Sequence, residues 1–236
     1  MSAMPSDSET ATSEVPDLVD AARLGTQPQT ARGKRTRDAL IAAARTVFER
    51  DGFVDSRLVD IAAEAKCSIG SFYTWFDSKD EVFAAVLHEA QNDMLHPGTS
   101  RIQASDDPVA IIAASNRAYV DAYRRNARLN LLLTQVAAVD PRFREMRHKR
   151  ARAFVTRNAR AIADLQQRGL ADRGVDAELA AEALSGMVSR LAYESFAMTK
   201  PSGEPLTEAQ VDTLVEALTR LWTNALGLTS PDLRAD

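Results

Sequence analysis

The 236-residue sequence has a single cysteine, Cys67, and therefore cannot form an intramolecular disulfide. Such scarcity is typical of proteins that work in a reducing compartment. The sequence also lacks an apolar run near the ~20 residues that a membrane-crossing helix needs, and its N-terminus lacks the apolar core of a signal peptide. These absences predict a soluble, cytoplasmic protein.

Residues that could carry out catalysis or hold a metal are also few. The three histidines, His88, His96 and His148, have no cysteine or carboxylate set around them at metal-ligand spacing. Cys67 has no evident base partner, and no glycine-rich loop that would cradle a phosphate is present. We therefore expect no enzymatic activity, no metal and no cofactor, although a redox-sensing role for Cys67 stays open.

The charge balance and the hydrophobic pattern limit the fold and its partners. The net charge is -4, which argues against a protein that coats nucleic acid by charge alone but permits a locally basic face. Hydrophobic residues make up 45% of the chain, enough for a sizeable core. Helical periodicity continues through nearly all of the sequence after residue 31, and strand-type alternation is absent. The sequence predicts an all-α protein of about nine helices.

The first two helices are predicted from their apolar faces and their ends. A helix over about residues 36–50 has apolar side chains at a spacing of three and four, and Gly52 is a credible stop because glycine tolerates a left-handed backbone. Ser56 is the predicted N-cap of the second helix. The buried faces predicted for these helices contain Leu40, Ala43, Ala44, Val47, Phe48, Leu58, Ile61, Ala62 and Ala65.

The residues after the second helix predict a tight turn and a short third helix. Lys66 lies in the turn, and Ser68 is the predicted N-cap of the third helix. Phe72 and Phe76 are one helical turn apart and should both face inward. The starts of later helices are marked by capping boxes or by aspartate before proline, at Ser78 and Glu81, Asp107 and Pro108, Asp140 and Pro141, and Thr207 and Gln210.

The segments ALIAAARTVFERDGF and LVDIAAEAKCSIGSFYTWFDSKDEVF resemble the DNA-binding domain of the TetR (tetracycline repressor) family of bacterial transcriptional regulators. The resemblance lies in the Gly-aromatic end of helix one, Asp-Ile-Ala in helix two, Ser-x-Gly-x-aromatic-Tyr-x-x-Phe through helix three, and Ser-Lys-acidic-acidic at the start of helix four. It implies a three-helix helix-turn-helix domain followed by a helical domain that binds effectors and dimerises. The predicted division is a disordered tail at 1–31, a DNA-binding domain at 32–80, an effector and dimerisation domain at 81–228, and a tail at 229–236.

The outer face of the third helix is expected to enter a DNA groove. Gly70 permits close approach, Ser71 and Thr74 can bond base edges or phosphates, and Ile69 can lie against a thymine methyl. The basic run at 32–37 resembles arms that reach a minor groove or the flanking backbone. The expected DNA-binding residues are Lys34, Arg35, Arg57, Ser68, Ile69, Gly70, Ser71, Tyr73, Thr74, Trp75 and Lys79.

Three positions depart from the family pattern. Lys66 occupies a turn position that often holds glycine, so a left-handed backbone there would be strained. Ile69 stands where a polar or basic residue is common, and Trp75 where histidine or tyrosine is common. We expect these three residues to set the operator preference of this protein.

The last two long helices resemble those with which TetR-type proteins form a four-helix bundle between two subunits. Such a homodimer would place two recognition helices about 34–36 Å apart on a palindromic operator. Packing within one chain remains the alternative for these apolar stripes. The residues predicted to form the dimer interface are Leu184, Met187, Val188, Leu191, Leu214, Leu218, Leu221 and Trp222.

The helix predicted over 141–169 is rich in arginine, which is typical of a solvated face. Alternatively, some of these arginines bind an anionic effector such as an acyl-CoA phosphate or a carboxylate, because arginine offers a bidentate fork. The candidate effector residues are Tyr119, Tyr123, Asn130, Arg147, Arg150, Phe154 and Met187, for which ordinary core packing is the alternative.

We therefore predict a ligand-responsive DNA-binding repressor. It would leave a palindromic operator when a small, largely apolar effector binds the second domain. The alternative is a helical protein-binding or scaffold protein that uses its helix-turn-helix for protein contacts.

Overall fold

The computed structural model describes residues 24–95, 107–198 and 204–228. Most of the predicted N-terminal tail, the predicted tail at 229–236 and His96 lie outside these residues. The described part contains nine α-helices, one π-helix and no strand, which confirms the all-α prediction. The elements are α1 (Ala31–Asp55), α2 (Leu58–Glu64), α3 (Ile69–Tyr73), α4 (Lys79–Leu95), α5 (Pro108–Arg125), α6 (Ala127–Val139), α7 (Pro141–Gln167), α8 (Ala177–Ala192), the π-helix (Tyr193–Ala197) and α9 (Glu208–Ala225).

Helix α1 is longer than predicted, and its end differs from the prediction in one respect. Gly52 has φ +82° and interrupts the helical backbone, as its position in the sequence predicted. The prediction that Ser56 caps α2 was wrong. Its hydroxyl donates back to the carbonyl of Phe53 at 2.9 Å, and the N-cap of α2 is Arg57, whose side chain makes no capping bond.

The other predicted helix starts are observed, with one difference. Ser68 accepts from the backbone N–H of Ser71, and Thr207 with Gln210 forms a complete capping box. Ser78 accepts from the backbone N–H of Glu81 at 3.2 Å, but the Glu81 carboxylate accepts from the N–H of Asp77 instead of completing a box with Ser78. Both aspartate-proline starts are confirmed, with Asp107 and Asp140 as N-caps.

The end of the predicted disordered tail is ordered. Residues 24–30, the N-terminal strap, pack against the residues that follow α3. The backbone N–H of Thr26 donates to the carbonyl of Trp75 at 2.9 Å, and Arg37 donates to the carbonyl of Leu24. Gly25 has φ +72°, and a Cβ there would lie 2.2 Å from the Trp75 carbonyl oxygen, so only glycine fits this approach. The strap therefore joins the start of α1 to the end of α3.

The first core fills the space between α1–α4, α6 and the start of α7. Phenylalanine rings dominate it: Phe83 lies 5.1 Å from Phe48, 4.8 Å from Phe53 and 5.3 Å from Phe143 between ring centroids. Phe143 belongs to α7, which otherwise runs through the second half of the molecule. The domain boundary predicted at residue 80 therefore crosses one continuous core.

The second core lies between α5, the later part of α7, α8 and α9. It is built from aliphatic and small side chains, with Ile162, Leu218 and Val211 almost fully buried and Ala180 and Ala181 beside them. No helix in the described ranges is long and apolar enough to span a bilayer. Helix α7, 27 residues long, contributes side chains to both cores.

Candidate DNA-binding face and effector site

The exposed side of α3 and the residues at its two ends form a small outward surface, which we call the α3 face. It is supported from below by Phe72 and Phe76, both buried as predicted. Tyr73 is 53% exposed and Ile69 38% exposed, so both side chains are accessible on this surface. The α3 face consists of Ser68, Ile69, Gly70, Ser71, Tyr73 and Thr74.

Local hydrogen bonds set the directions of the hydroxyl groups on this face. The Ser68 hydroxyl accepts from the N–H of Ser71 at 3.2 Å, and the Thr74 hydroxyl donates to the carbonyl of Gly70 at 3.2 Å. Because Thr74 uses its only donor within the helix, its remaining capacity is that of an acceptor. The Tyr73 ring stands edge-on to Phe72 at 5.6 Å, which holds its position while the ring stays exposed.

The turn between α2 and α3 has the backbone that the family pattern implies. Lys66 has φ +54° and is the only residue other than glycine with a positive φ in the described ranges. A lysine in this conformation places its Cβ close to its own carbonyl oxygen, which costs free energy that glycine would avoid. The turn therefore keeps its geometry at the expense of local strain.

Trp75 lies elsewhere than predicted. We expected its ring to point away from the core toward a groove, but it is partly buried against the first core. A Cβ at Gly33 would lie 2.8 Å from Cη2 of Trp75, so the indole ring contacts the first turn of α1 directly. Together with the bond from Thr26 to its carbonyl, this contact makes Trp75 a support for the strap and for the start of α1.

Lys79 also has a different role from the predicted phosphate contact. Its ammonium group donates to the carbonyls of Phe53 at 2.7 Å, Val54 at 3.0 Å and Ser56 at 3.1 Å. The same nitrogen lies 4.8 Å from the centroid of the Phe53 ring. An ammonium has three donors, and here each one satisfies a carbonyl at the end of α1. Lys79 therefore fixes the α1–α2 connection.

The predicted basic contacts lie at the margin of the DNA-binding domain, with internal partners of their own. Arg57 makes two bonds to the carboxylate of Asp60, at 2.7 and 2.8 Å, and this hydrogen bonding lowers the pKa of Asp60. Lys34 pairs with Asp38 at 2.6 Å, and Arg35 is exposed. Exposed ion pairs of this kind contribute little to the free energy of unfolding. Their cations can therefore leave the carboxylate and bind a DNA phosphate at a small cost in free energy.

The predicted dimer residues divide into two groups. Leu184, Val188, Leu218 and Trp222 are buried inside the second core of a single chain, each at most 8% exposed, so the prediction is corrected for these four: they offer little surface to a partner. Met187 and Leu214 are partly buried. Leu191 and Leu221 are 37% and 48% exposed, and Leu179, which the sequence reasoning missed, is more exposed still.

Five of the predicted effector residues meet in the C-terminal half and form what we call the Arg150 cluster. The ring of Tyr119 lies 5.6 Å from that of Phe154, edge-on, and 5.9 Å from that of Tyr123. The Arg150 guanidinium donates to the side-chain oxygen of Asn130 at 3.1 Å. The residues of the cluster come from three helices, α5, α6 and α7, and no local sequence pattern predicts that these helices meet here.

Burial is the main influence on the ionisable groups of the Arg150 cluster. It raises the pKa of Tyr119 and that of Tyr123, so both phenols stay protonated. Burial also lowers the pKa of Arg150, although the two tyrosines act in the opposite direction. Arg150 is partly buried, and its guanidinium bonds to Asn130, which is itself buried.

The remaining two predicted effector residues lie at the edge of the cluster or outside it. Arg147 is exposed, but its charge lowers the pKa of both Arg150 and Tyr123, so it is close by. Met187 packs against the second core instead. The sequence reasoning missed the π-helix, whose Tyr193 and Phe196 pack beside Tyr123. A π-turn depends on tertiary contacts, and such turns are frequent at functional sites.

The two halves of the molecule are joined by a reciprocal pair of hydrogen bonds. Arg45 of α1 donates to the carbonyl of Arg125 at 3.0 Å, and Arg128 of α6 donates to the carbonyl of Glu49 at 3.1 Å. An open groove of about 370 Å³ lies at this junction. The groove is lined by Glu49, Arg124, Arg125, Ala127, Arg128, Phe196, Ala197 and Met198.

Comparison with known proteins gives two family matches, one for each half of the chain. A family model described as "Bacterial regulatory proteins, tetR family" matches residues 40–86, and the model "Transcriptional regulator EthR, C-terminal domain" matches residues 112–226. The HTH-type transcriptional repressor NicS of Pseudomonas putida is 40% identical over 53 residues, which is 22% of this chain. That match spans about a quarter of the length of NicS (25%).

Solved structures share the fold over most of the chain. A TetR-family regulator from Mesorhizobium loti has a TM-score of 0.69 at 22% identity, covering 83% of this chain and 98% of its own. The fatty acid degradation regulator FadR from Bacillus halodurans has a TM-score of 0.66 at 15% identity, with coverages of 83% and 96%. AibR, solved with isovaleryl coenzyme A and operator DNA, has a TM-score of 0.58 at 25% identity, with coverages of 78% and 98%.

Proposed function

This chain belongs to the TetR family of bacterial regulatory proteins, and from that membership we propose a specific mode of action. The protein is a homodimeric repressor that binds a palindromic operator in the cytoplasm. It leaves the operator when a small, largely apolar effector binds its C-terminal domain. The single observation that carries the DNA-binding part is the α3 face, an exposed set of small, hydroxylated and apolar side chains held on two buried phenylalanines.

The α3 face suits the major groove for steric and chemical reasons. Gly70 has no side chain to hold the helix away from the bases, and Ile69 offers an apolar surface to a thymine methyl. Thr74 presents a hydroxyl acceptor and a methyl group. Tyr73 can direct its hydroxyl to a phosphate, as can the cations of Lys34, Arg35 and Arg57 from the margin.

A dimer would use the surface of α8 and α9 that remains exposed. Leu191 and Leu221, together with Leu179, are the large apolar side chains available there. Pairing these helices with those of a second copy would remove the exposed leucines from water and would set the spacing of the two α3 faces. Met187 and Leu214, both partly buried, would contribute their accessible edges.

The effector would bind at the Arg150 cluster, with an acyl-CoA or another anionic, lipid-like compound as the candidates. The cluster combines aromatic walls with a small number of converging polar groups, as ligand sites do. AibR, which shares the fold, forms a complex with isovaleryl coenzyme A and operator DNA. For this chain that likeness supports an effector of the same general kind.

The test of DNA binding is a selection of genomic fragments with the full chain, followed by gel shifts on the selected sequence at several salt concentrations. We expect a palindromic site whose affinity falls steeply as salt rises, because phosphate contacts release counterions. Ile69→Ala should relax the base preference, whereas Val139→Ala, at an exposed apolar residue outside the α3 face, should change nothing. A failure to select any sequence would favour the alternative of a protein-binding scaffold.

A further inference from the structure

We propose that Arg150 anchors the carboxylate of a monobasic organic acid whose apolar body packs among the aromatic side chains of the Arg150 cluster. This assignment rests on the proposed function, because it names the chemical class of the effector. It chooses one class among the anionic candidates.

The polar groups of the cluster form a set of donors that matches a carboxylate. The Arg150 guanidinium has a planar fork of N–H groups, and its bond to the buried Asn130 places it beside the rings of the cluster, where a charge-assisted bond is strong. The phenols of Tyr119 and Tyr123 add two hydroxyl groups, of which that of Tyr119 is hydrogen-bonded with Ser189. Arg147, one turn earlier on α7, adds positive potential at the edge.

The side chains around the Arg150 guanidinium are mostly aromatic, so they suit the apolar part of a small ligand. Tyr119, Tyr123 and Phe154 present ring surfaces, and the guanidinium of Arg157 covers the Phe154 ring at 5.0 Å from its centroid. Phe196 of the π-helix belongs both to this aromatic packing and to the wall of the open groove. A ligand that approaches from the groove would therefore meet Phe196 before it reached the tyrosines.

The cluster has one guanidinium next to a buried residue, which favours a ligand with a single negative charge. One guanidinium can balance one carboxylate, whereas the several charges of a phosphorylated ligand would each need a partner in the same small volume. The other predicted cation of the site, Arg147, is exposed to solvent. A free acid is therefore a better fit for the interior than the head group of a coenzyme A ester.

Helix α7 gives this site a direct connection to the DNA-binding half. Phe143 and Met146 of α7 are buried in the first core, and Phe143 contacts Phe83 and Phe53. Arg150 follows Phe143 by two helical turns, about 10 Å along the axis. If a ligand binds more tightly when α7 is in one position relative to its neighbours, it favours that position. Both the Arg150 cluster and the aromatic core that supports α1 and α4 would then move together with α7.

The experiment is isothermal titration calorimetry on the full chain without DNA. The probes are octanoate and 3-phenylpropionate, their neutral amides, and octanoyl-CoA. We expect at least one acid to bind, and its amide to bind roughly tenfold or more weakly, since a charge-assisted hydrogen bond is lost. Arg150→Met should weaken acid binding to the same extent, and Arg150→Lys, which keeps the charge but lacks the fork, should fall between. Arg152→Met, an exposed arginine on the same helix, is the matched control.

Three results would overturn the assignment: acids that bind Arg150→Met as they bind the unaltered chain, amides that bind as well as acids, or octanoyl-CoA binding in the absence of acid binding. Circular dichroism checks the fold of each variant, and Arg150→Lys still decides the matter if Arg150→Met does not fold. Calorimetry needs no operator, so Arg150-dependent acid binding without operator selection would contradict only the repressor function. Operator binding with acid affinity independent of Arg150 would contradict only this assignment.

Discussion

The two cores of this molecule are built from different side chains. The first has six phenylalanines, each with its ring centroid within 5.8 Å of another, and it includes the two shortest of the described α-helices, α2 and α3. Over the described ranges, the second has no phenylalanine among its buried members and relies on alanine, valine and leucine between long helices. Helices as short as α2 and α3 bury little surface each, so large rings such as Phe72 and Phe76 contribute much of the buried area around them. Long helices can pack closely through small residues, and that half tolerates buried polar groups beside its core.

The difference bears on what each half can do. The first half holds the α3 face rigidly, because Phe72 and Phe76 lie in a dense aromatic core. The second half contains an arginine bonded to a buried asparagine, two largely buried tyrosines and a π-helix, features that are common at ligand sites. Substitutions in the first core should therefore change mainly the free energy of unfolding, whereas substitutions in the Arg150 cluster should change mainly the response to the effector.

The largest effect is expected for Phe83→Ala, since Phe83 contacts three other phenylalanines from two parts of the chain. We expect the free energy of unfolding to fall by about 3–5 kcal/mol, measured by urea denaturation followed with circular dichroism. Tyr73→Ala removes an exposed aromatic residue and is the control, with a change within about 0.5 kcal/mol. Comparable effects of the two substitutions would contradict a core centred on Phe83.

A smaller effect is expected for Lys79→Met. It removes three hydrogen bonds from a charged donor to carbonyls at the end of α1, and should destabilise the fold by about 1.5–3 kcal/mol. Lys34→Met, which breaks an exposed pair with Asp38, should cost less than about 0.5 kcal/mol. Unchanged stability with weaker operator binding would restore Lys79 to the role of a phosphate contact.

On the α3 face, Ile69→Ala should leave the free energy of unfolding almost unchanged. It should weaken operator binding by about 1 kcal/mol, because part of the apolar side chain would leave water only in the complex. The loss should be confined to operators with thymine at one position, measured by gel shifts on a set of single-base variants. An equal loss on all of them would mean that Ile69 does not read a base.

The smallest effect is expected for Lys66→Gly, and it has the opposite sign. Glycine removes the strain of φ +54° but adds freedom to the unfolded chain, so a net gain of roughly 0.5–1 kcal/mol is expected. Urea denaturation measures it, and Glu64→Gly at the end of α2 should destabilise instead. A loss of stability in Lys66→Gly would show that the lysine side chain compensates for its backbone.

Much of the fold and part of the site could be predicted from the sequence because their causes are local. Helix starts at Ser68, Asp107, Asp140 and Thr207 depend on bonds between residues two or three apart. The inward faces of Phe72 and Phe76 follow from helical spacing alone. The family pattern, in which this turn position often holds glycine, also implied the left-handed backbone that is observed at Lys66.

What escaped prediction depended on residues far apart in the chain. The sequence alone suggested a phosphate contact for Lys79, because it does not show that the end of α1 lies beside its ammonium group. It suggested a groove-facing Trp75, because it does not show that Gly33 and the strap contact this residue. The apolar stripes on α8 and α9 predicted that these helices pack against an apolar surface. They did not determine whether that surface belongs to the same chain or to a second subunit. Leu184, Val188, Leu218 and Trp222 are buried within one chain.

By itself, the sequence determined the helical class, most of the helix starts and the presence of two short helices near the N-terminus, followed by longer ones. Those features follow from bonds and spacings within about one helical turn. Only the tertiary structure decided that Arg150, among the many arginines of α7, bonds the buried Asn130 of α6, and that the same helix carries Phe143 into the core below the α3 face. The physical reason is that burial is a property of the packed chain, because a side chain leaves water only when distant residues close around it.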